Sequence, residues 1–314
     1  MRLRAAATAA LACAFSSVSF AAADHKTATQ VRVVNIHRHD DSAFTEGLFF
    51  HGDTLIESTG LNSKSFIRQY SLPQATTTAS PVADDGDNAG STSSTGKHEK
   101  EFRFNASMFG EGVTSIGDKL YALTYKAKVL LELSLRDFTL LNTYLIETST
   151  KEGWGMTTDG ELLIVSDGSS KIQFFDPREE KLKLVRTIDV TLEGKQLTNV
   201  NELEFVPGEN EILANVWFQN HILRINVTDG NVLEVIDLAW LTNMVSNLQT
   251  PAILHSQWRH DAVMNGIALH PTTKHVFVTG KLWDSIFELE FLYLSVSSRK
   301  KRQGATKSEN NERR

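Results

Sequence analysis

Apolar and polar residues alternate in short runs along most of the chain, as in GDKLYALTY (117–125), KIQFFDP (171–177), HILRIN (221–226) and KHVFVTG (274–280). Runs of this length at a period of two, rich in Val, Ile, Leu, Phe and Thr and broken by Gly, Asp and Asn, predict β-strands. No long segment keeps a 3.6-residue period. The chain therefore reads as all-β.

The strands recur as a larger unit. Five stretches open alike: Phe44-Thr-Glu-Gly-Leu, Phe109-Gly-Glu-Gly-Val, Gly153-Trp-Gly-Met, Val200-Asn-Glu-Leu and Met264-Asn-Gly-Ile. Each carries one polar or aromatic residue ahead of an aliphatic one: Glu46, Glu111, Trp154, Asn201 and Asn265, at intervals of 65, 43, 47 and 64 residues. A second element follows each (Glu57-Ser-Thr-Gly, Leu123-Thr-Tyr-Lys, Ser166-Asp-Gly, Asn215-Val-Trp, Thr279-Gly-Lys), then an alternating run read as an outer strand (SFIRQYSL, VLLELSL, IQFFDP, ILRINV, IFELEF).

A repeat of several strands with a period of about 40–45 residues is the signature of propeller blades, so the expectation is a five-bladed β-propeller over residues 31–292. The two long intervals contain two insertions. Residues 74–100 are polar and small throughout, with Val82 as the one larger aliphatic, and predict a disordered surface loop. Residues 241–260 read as a second insertion with a helical turn, and neither insertion is expected to carry the fold.

In a propeller the first strand of each blade lines the central channel, so equivalent residues of the repeats become neighbours. Glu46, Glu111, Trp154, Asn201 and Asn265 are thus expected to form one ring, with Tyr125, Asp167, Trp217 and Lys281 from the second element at its edge. Carboxylates at such sites, close to aromatics, are candidates for raised pKa values and proton transfer. Lys281 would then serve an anionic centre, whereas Trp283 is assigned to packing. His37 and His39 have a spacing that could hold a metal with Asp40 or Asp41 but lack a third histidine nearby; they read as surface strand residues, and no metal is expected.

Composition narrows the function classes. The only cysteine, Cys13, lies in an N-terminal run with Arg2 and Arg4 ahead of a short apolar stretch and small residues at Ala21–Ala23. That pattern predicts a signal peptide over 1–23, a secreted or lumenal protein without stable membrane association after cleavage, and a mature chain with neither disulfide nor thiol nucleophile; a retained membrane anchor is the competing reading, for which the run is short and weakly apolar. Asn105 and Asn226 head N-glycosylation triplets. The formal charge is −6, but the tail 299–314 carries +5 and the leader +2, leaving −13 on residues 24–298. An acidic body argues against a nucleic-acid partner, and the basic tail reads as a disordered end. No phosphate-binding loop, GxSxG elbow or HExxH motif occurs.

The segments FTEGL (44–48), ESTGL (57–61), FGEGVTSIGDKLYALTYK (109–126), EGWGMTTDG (152–160), SDGSS (166–170), NELEFVPGENEILANVW (201–217) and MNGIALHPTTKHVFVTGKLW (264–283) resemble the plant and bacterial glutamine cyclotransferase family. The resemblance implies a five-bladed propeller that converts the N-terminal glutamine of a peptide to pyroglutamate with loss of ammonia; no cofactor is expected, and a monomer is the default expectation because nothing in the sequence indicates an oligomer. The α-amine attacks the side-chain γ-carbonyl within one residue, so no nucleophilic side chain is required. By the same resemblance Glu111 is the proton shuttle, Asn201 orients the amide or amine, and Lys281 stabilises the oxyanion. Phe44, Glu46, Tyr125, Trp154, Trp217 and Asn265 would bind substrate. Two positions depart from the family pattern: Glu46 stands where FTQGL has Gln, and Tyr125 where LTW has Trp. A secreted propeller that binds peptide ends or glycans without turnover is the alternative, and a metal-dependent hydrolase ranks last because the ring has no histidine.

Overall fold

The computed structural model describes residues 29–72, 98–178 and 180–292. The readings of a signal peptide at 1–23 and a tail at 299–314, and most of the first insertion, fall outside them.

Five four-stranded antiparallel sheets form the structure. Blade I comprises β2 (Thr45–His51), β3 (Thr54–Thr59), β4 (Phe66–Ser71) and β5 (His98–Arg103). Blade II comprises β6 (Gly110–Ile116), β7 (Lys119–Thr124), β8 (Val129–Ser134) and β9 (Leu140–Leu145). Blade III comprises β10 (Met156–Thr158), β11 (Leu163–Ser166), β12 (Lys171–Asp176) and β13 (Lys183–Asp189). A small hairpin, β14 (Thr191–Leu192) and β15 (Lys195–Gln196), leads to blade IV: β16 (Val200–Val206), β17 (Glu211–Val216), β18 (His221–Asn226) and β19 (Val232–Asp237). Blade V takes β20 (Met264–Leu269), β21 (Val276–Gly280) and β22 (Ser285–Phe291) from the end of the chain, and β1 (Val31–Arg38) from its beginning. Pairing β1 with β22 closes the ring with backbone hydrogen bonds between distant parts of the chain.

Each blade buries its faces against the next, so the core is a circle of interblade clusters. Ile56 and Ile67 of blade I meet Val113 and Leu131 of blade II. Leu123 and Leu130 meet Leu163 and Val165; Ile172 and Phe174 meet Ile212 and Leu223; Leu213 and Ile222 meet Val278 and Phe287. Leu48 and Leu55 meet Phe277 and Ile286 to complete the circuit. Trp283 is fully buried in the fourth of these clusters, as its assignment to packing anticipated.

Three expectations are corrected. The runs read as outer strands are the third strands of their blades; the outermost are β5, β9, β13, β19 and β1. Alternation is weak in several of these edges because both faces meet solvent, as in β9, whose residues are exposed except Tyr144. Residues 98–100, read as the end of the disordered insertion, are the start of β5. The segment 241–260 carries more than a loop would: it forms 3-10 turns at Ala239–Met244 and Ser246–Gln249 and a helical turn at Pro251–Leu254, and it buries Leu241 and Val245 in the core between blades IV and V.

His39 is likewise not a surface residue. It is buried between blades I and V, with Nδ1 2.8 Å from the Trp283 carbonyl and Nε2 2.9 Å from Glu57. Glu57 also accepts from the hydroxyls of Thr45 (2.7 Å) and Tyr70 (3.2 Å). Burial opposes charging His39, but the neighbouring Glu57 outweighs it and raises the imidazole pKa. The HxH motif thus supplies a buried ion pair at the ring closure.

Candidate active site

The repeated motif has a local structural cause. In four blades the register between first and second strand slips at the same place: Thr45/Gly47, Gly110/Val113, Val200/Leu203 and Met264/Ile267. A bulge there turns one side chain out of the ladder and toward the channel mouth, which is how Glu46, Glu111, Asn201 and Asn265 come to converge. Trp154 stands two residues before β10 in the equivalent place.

The glycines that follow allow the inner strands to crowd together. A Cβ on Gly112 would lie 2.3 Å from the Met156 backbone nitrogen, and one on Gly155 would lie 2.1 Å from the Asn201 carbonyl oxygen. Only Gly permits that approach. In blade IV the position after Asn201 is Glu202, whose carboxyl crosses the channel to accept the backbone N–H groups of Leu48 (3.3 Å) and Ile267 (2.8 Å). Two residues on, Glu204 does the same for Leu269 (2.8 Å).

Above these carboxyls lies a cavity of about 180 Å³. Glu46, Glu111, Asn201 and Lys281 reach it from four blades, and Phe44, Tyr125, Trp154 and Trp217 form its walls. Sequence reasoning named all eight. It missed Phe109, Trp258 and Asp261, which also line the cavity. Phe109 opens the same motif as Phe44, so its signal was present in the repeat; Trp258 comes from the segment 241–260 set aside as an insertion and Asp261 stands just past its end, where no repeat exists to mark them.

The aromatics support one another by edge contacts. Phe44 meets Phe109 with ring centres 6.1 Å apart and Trp258 at 5.6 Å, and Phe109 meets Tyr125 at 5.7 Å. On the far side Trp154 and Trp217 are perpendicular at 5.4 Å. Such a wall excludes water and strengthens every charge interaction inside it.

The polar groups form one network. Lys281 Nζ donates to Glu46 Oε1 at 2.6 Å and sits 4.7 Å from the centre of the Phe44 ring. Asn265 Nδ2 donates to Glu46 Oε2 at 3.2 Å, and its Oδ1 accepts from Asn201 Nδ2 at 3.1 Å. Asn201 is thereby oriented with its Oδ1 unengaged: buried, that atom has no hydrogen-bond partner among the described residues. Glu111 is hydrogen-bonded to Glu46, and burial, followed by the Glu46 charge, pushes its pKa well above the carboxylate range.

One residue expected in the ring and one expected at its edge stand outside the cavity. Asn265 is not among the residues that line the cavity; it is fully buried behind Glu46 and Asn201 and is hydrogen-bonded to both. Asp167 is also buried away from the cavity, where it accepts hydrogen bonds from Ser149 (2.6 Å), Thr150 (3.0 Å) and Ser169 (3.1 Å) and fixes the turn before Trp154. Among the described residues no cluster of three or more metal-ligating side chains occurs.

Comparison with known proteins agrees with this architecture. A glutaminyl-peptide cyclotransferase of Arabidopsis thaliana is 33% identical over 270 residues, covering 86% of this chain and 73% of that protein. The crystal structure of Myxococcus xanthus glutaminyl cyclase matches with a TM-score of 0.67 at 30% identity, covering 83% of this chain and 96% of that one. A family model described as glutamine cyclotransferase matches residues 5–291, a span that takes in all five blades and every group in the cavity. The chain belongs to the glutamine cyclotransferase family.

Proposed function

We propose that the protein is a glutaminyl-peptide cyclotransferase, closing the N-terminal glutamine of peptides or proteins to pyroglutamate and releasing ammonia. The names of the Arabidopsis and Myxococcus relatives support the activity. The observation that carries it to these residues is the convergence, in one aromatic-walled cavity, of the Glu111 carboxyl, whose pKa burial and the Glu46 charge raise, an unengaged acceptor at Asn201 Oδ1 and the Lys281 side chain.

The cavity is smaller than the roughly 300–1,000 Å³ of pockets for drug-sized ligands, which suits a single terminal residue with the rest of the peptide outside. Cyclisation requires a neutral α-amine, a stabilised oxyanion as the amine adds to the γ-carbonyl, and a proton for the departing nitrogen. Asn201 Oδ1 accepts an N–H of the amine or amide and fixes its direction. Lys281 spends one N–H on Glu46 and has others for the developing oxyanion. Glu111 moves the proton from the attacking to the leaving nitrogen.

Ammonia release from a Gln-initiated peptide, measured for the parent and Glu111→Gln across pH 5–9, tests the reading. Turnover in the parent with a loss of about 10²–10⁴-fold in the variant is expected. A folded parent that binds the peptide and releases no ammonia would instead make it a binding propeller.

The leader supports a secretory location: N-terminal sequencing of protein from the medium should begin near Asp24, and a retained Met1 would refute it. Asn105 is exposed in the turn before β6, which suits glycosylation there; a mobility shift on deglycosylation, lost in Asn105→Gln, is the check.

A further inference from the structure

We propose that Glu46 acts with Glu111 as a carboxyl pair holding one proton, with Glu46 positioned behind Glu111 to take up the second proton that the reaction generates. The inference rests on the cyclase reading and deepens it.

The donors around Glu46 settle which carboxyl holds the resting proton. Oε1 faces the Lys281 ammonium at 2.6 Å and Oε2 faces the amide nitrogen of Asn265 at 3.2 Å. Both are donors without acceptor capacity toward Glu46, and the Asn265 amide is held in this sense because its oxygen accepts from Asn201. Glu46 thus accepts on both oxygens, which favours its ionised form and places the resting proton of the Glu46–Glu111 hydrogen bond on Glu111; each Glu46 oxygen keeps a second lone pair through which it can take that proton in turn.

The charged groups that face the pair are Lys281 beyond β21, Asp261 ahead of β20, Glu152 ahead of Trp154, and Glu202 on β16. Lys281 is the only cation among them. It favours one negative charge in the pair, while burial and the surrounding carboxyls oppose a second.

A single carboxylate at the shuttle position can accept the amine proton directly. Here Glu111 already carries a proton, so the transfer needs a second site. As the new C–N bond forms, the amine gives its proton to the free oxygen of Glu111 while the proton on the other oxygen passes to Glu46. The pair then holds two protons and is neutral beside Lys281. As the bond to the leaving nitrogen breaks, Glu111 delivers a proton to it, ammonia departs, and the proton on Glu46 returns to Glu111. One proton is held before the cycle and one after it. Glu46 thus touches the chemistry through Glu111 and is a positioning residue. Where the family pattern has Gln, this second site does not exist.

The test is infrared titration of the protonated-carboxyl stretch in the full-length protein, as parent-minus-variant differences in which Glu204 cancels and the band of Glu202, whose pKa the Glu46 charge also raises, is identified from a Glu202→Gln difference, alongside the pH profile of ammonia release. In Glu46→Gln, Lys281 is left without its carboxylate and Glu111 without its negative neighbour. Its carboxyl band should then titrate lower by about one pH unit or more, and the alkaline fall in kcat/KM caused by loss of the shared proton should disappear. In Glu111→Gln the band at neutral pH should be absent, because Glu46 beside Lys281 ionises alone. A Glu111 band that titrates at the same pH in the parent and in Glu46→Gln, or a neutral-pH band that survives in Glu111→Gln, would overturn the proposal. The infrared readings need no turnover, so an inactive parent would refute the cyclase reading while leaving the carboxyl pair to be judged on its own.

Discussion

Glu204 gives a prediction that can be worked through from the structure. Its side chain is buried in the channel below the active site, with Oε1 accepting from Leu269 N–H at 2.8 Å and Oε2 near the Thr157 hydroxyl at 3.4 Å. Burial outweighs these two hydrogen bonds and lifts its pKa from 4.5 to about 8. Between those values the folded protein keeps a proton that the unfolded chain has released. The contribution of this group is therefore full at low pH and is lost as pH rises through the folded pKa. At about 1.4 kcal/mol per pH unit, the loss is roughly 5 kcal/mol across the whole window and about 3 kcal/mol between pH 5 and 7. Glu204→Gln retains an oxygen for Leu269 and cannot ionise. It also removes a charge that raises the pKa of Glu202. Urea unfolding of parent and variant at half-unit steps from pH 5 to 8 should show a parent whose stability falls by about 3 kcal/mol more than that of the variant between pH 5 and 7. Parallel curves would refute the reasoning, since they would mean that Glu204 releases its proton in the folded state as readily as in the unfolded one.

Gly155→Ala places a methyl group 2.1 Å from the Asn201 carbonyl oxygen and 2.6 Å from the Glu202 Cα. Because both neighbours are backbone, a cost of at least about 1–3 kcal/mol is expected by thermal unfolding, with loss of ammonia release as Asn201 shifts. Asn265→Ala strips one partner each from the buried Asn201 Nδ2 and Glu46 Oε2, so stability should fall by about 1–3 kcal/mol per orphaned group and kcat should fall with it; an unchanged kcat would show that Asn201 is held by other means. Trp258→Ala removes the edge contact with Phe44 at 5.6 Å, worth about 0.5–1.5 kcal/mol, and should raise KM roughly 2- to 10-fold with kcat nearly kept. An unaltered KM would remove Trp258 from the substrate wall.

Much of this protein is legible in its sequence because a propeller repeats one solution. Each blade turns a side chain toward the channel at or just before its inner strand, and in four of them the next residue, where the inner strands touch, has no Cβ; hence Glu46-Gly47, Glu111-Gly112, Trp154-Gly155 and Asn265-Gly266 stand out as a series. Period-two alternation marks the strands that are buried on the faces of their neighbours, and it fades on β9 and β13, where most side chains meet water. Features without a repeat could not be read in that way. Trp258 and Asp261 reach the cavity from a segment found in one blade only, and the fourth strand of blade V comes from the opposite end of the chain.

By itself the sequence determined the all-β class, the number of blades and most of the residues that converge, because period, spacing and turn chemistry are local properties that each repeat states again. Only the tertiary structure decided what those residues are to one another. That Glu46 accepts from Lys281 and Asn265, that Asn201 keeps a free buried oxygen, and that His39 pairs with Glu57 across the ring closure all depend on distances of about 3 Å between residues up to 235 positions apart. Such contacts are set by how the blades close into a circle, and the strength of a charge or a hydrogen bond follows from the burial that closure creates.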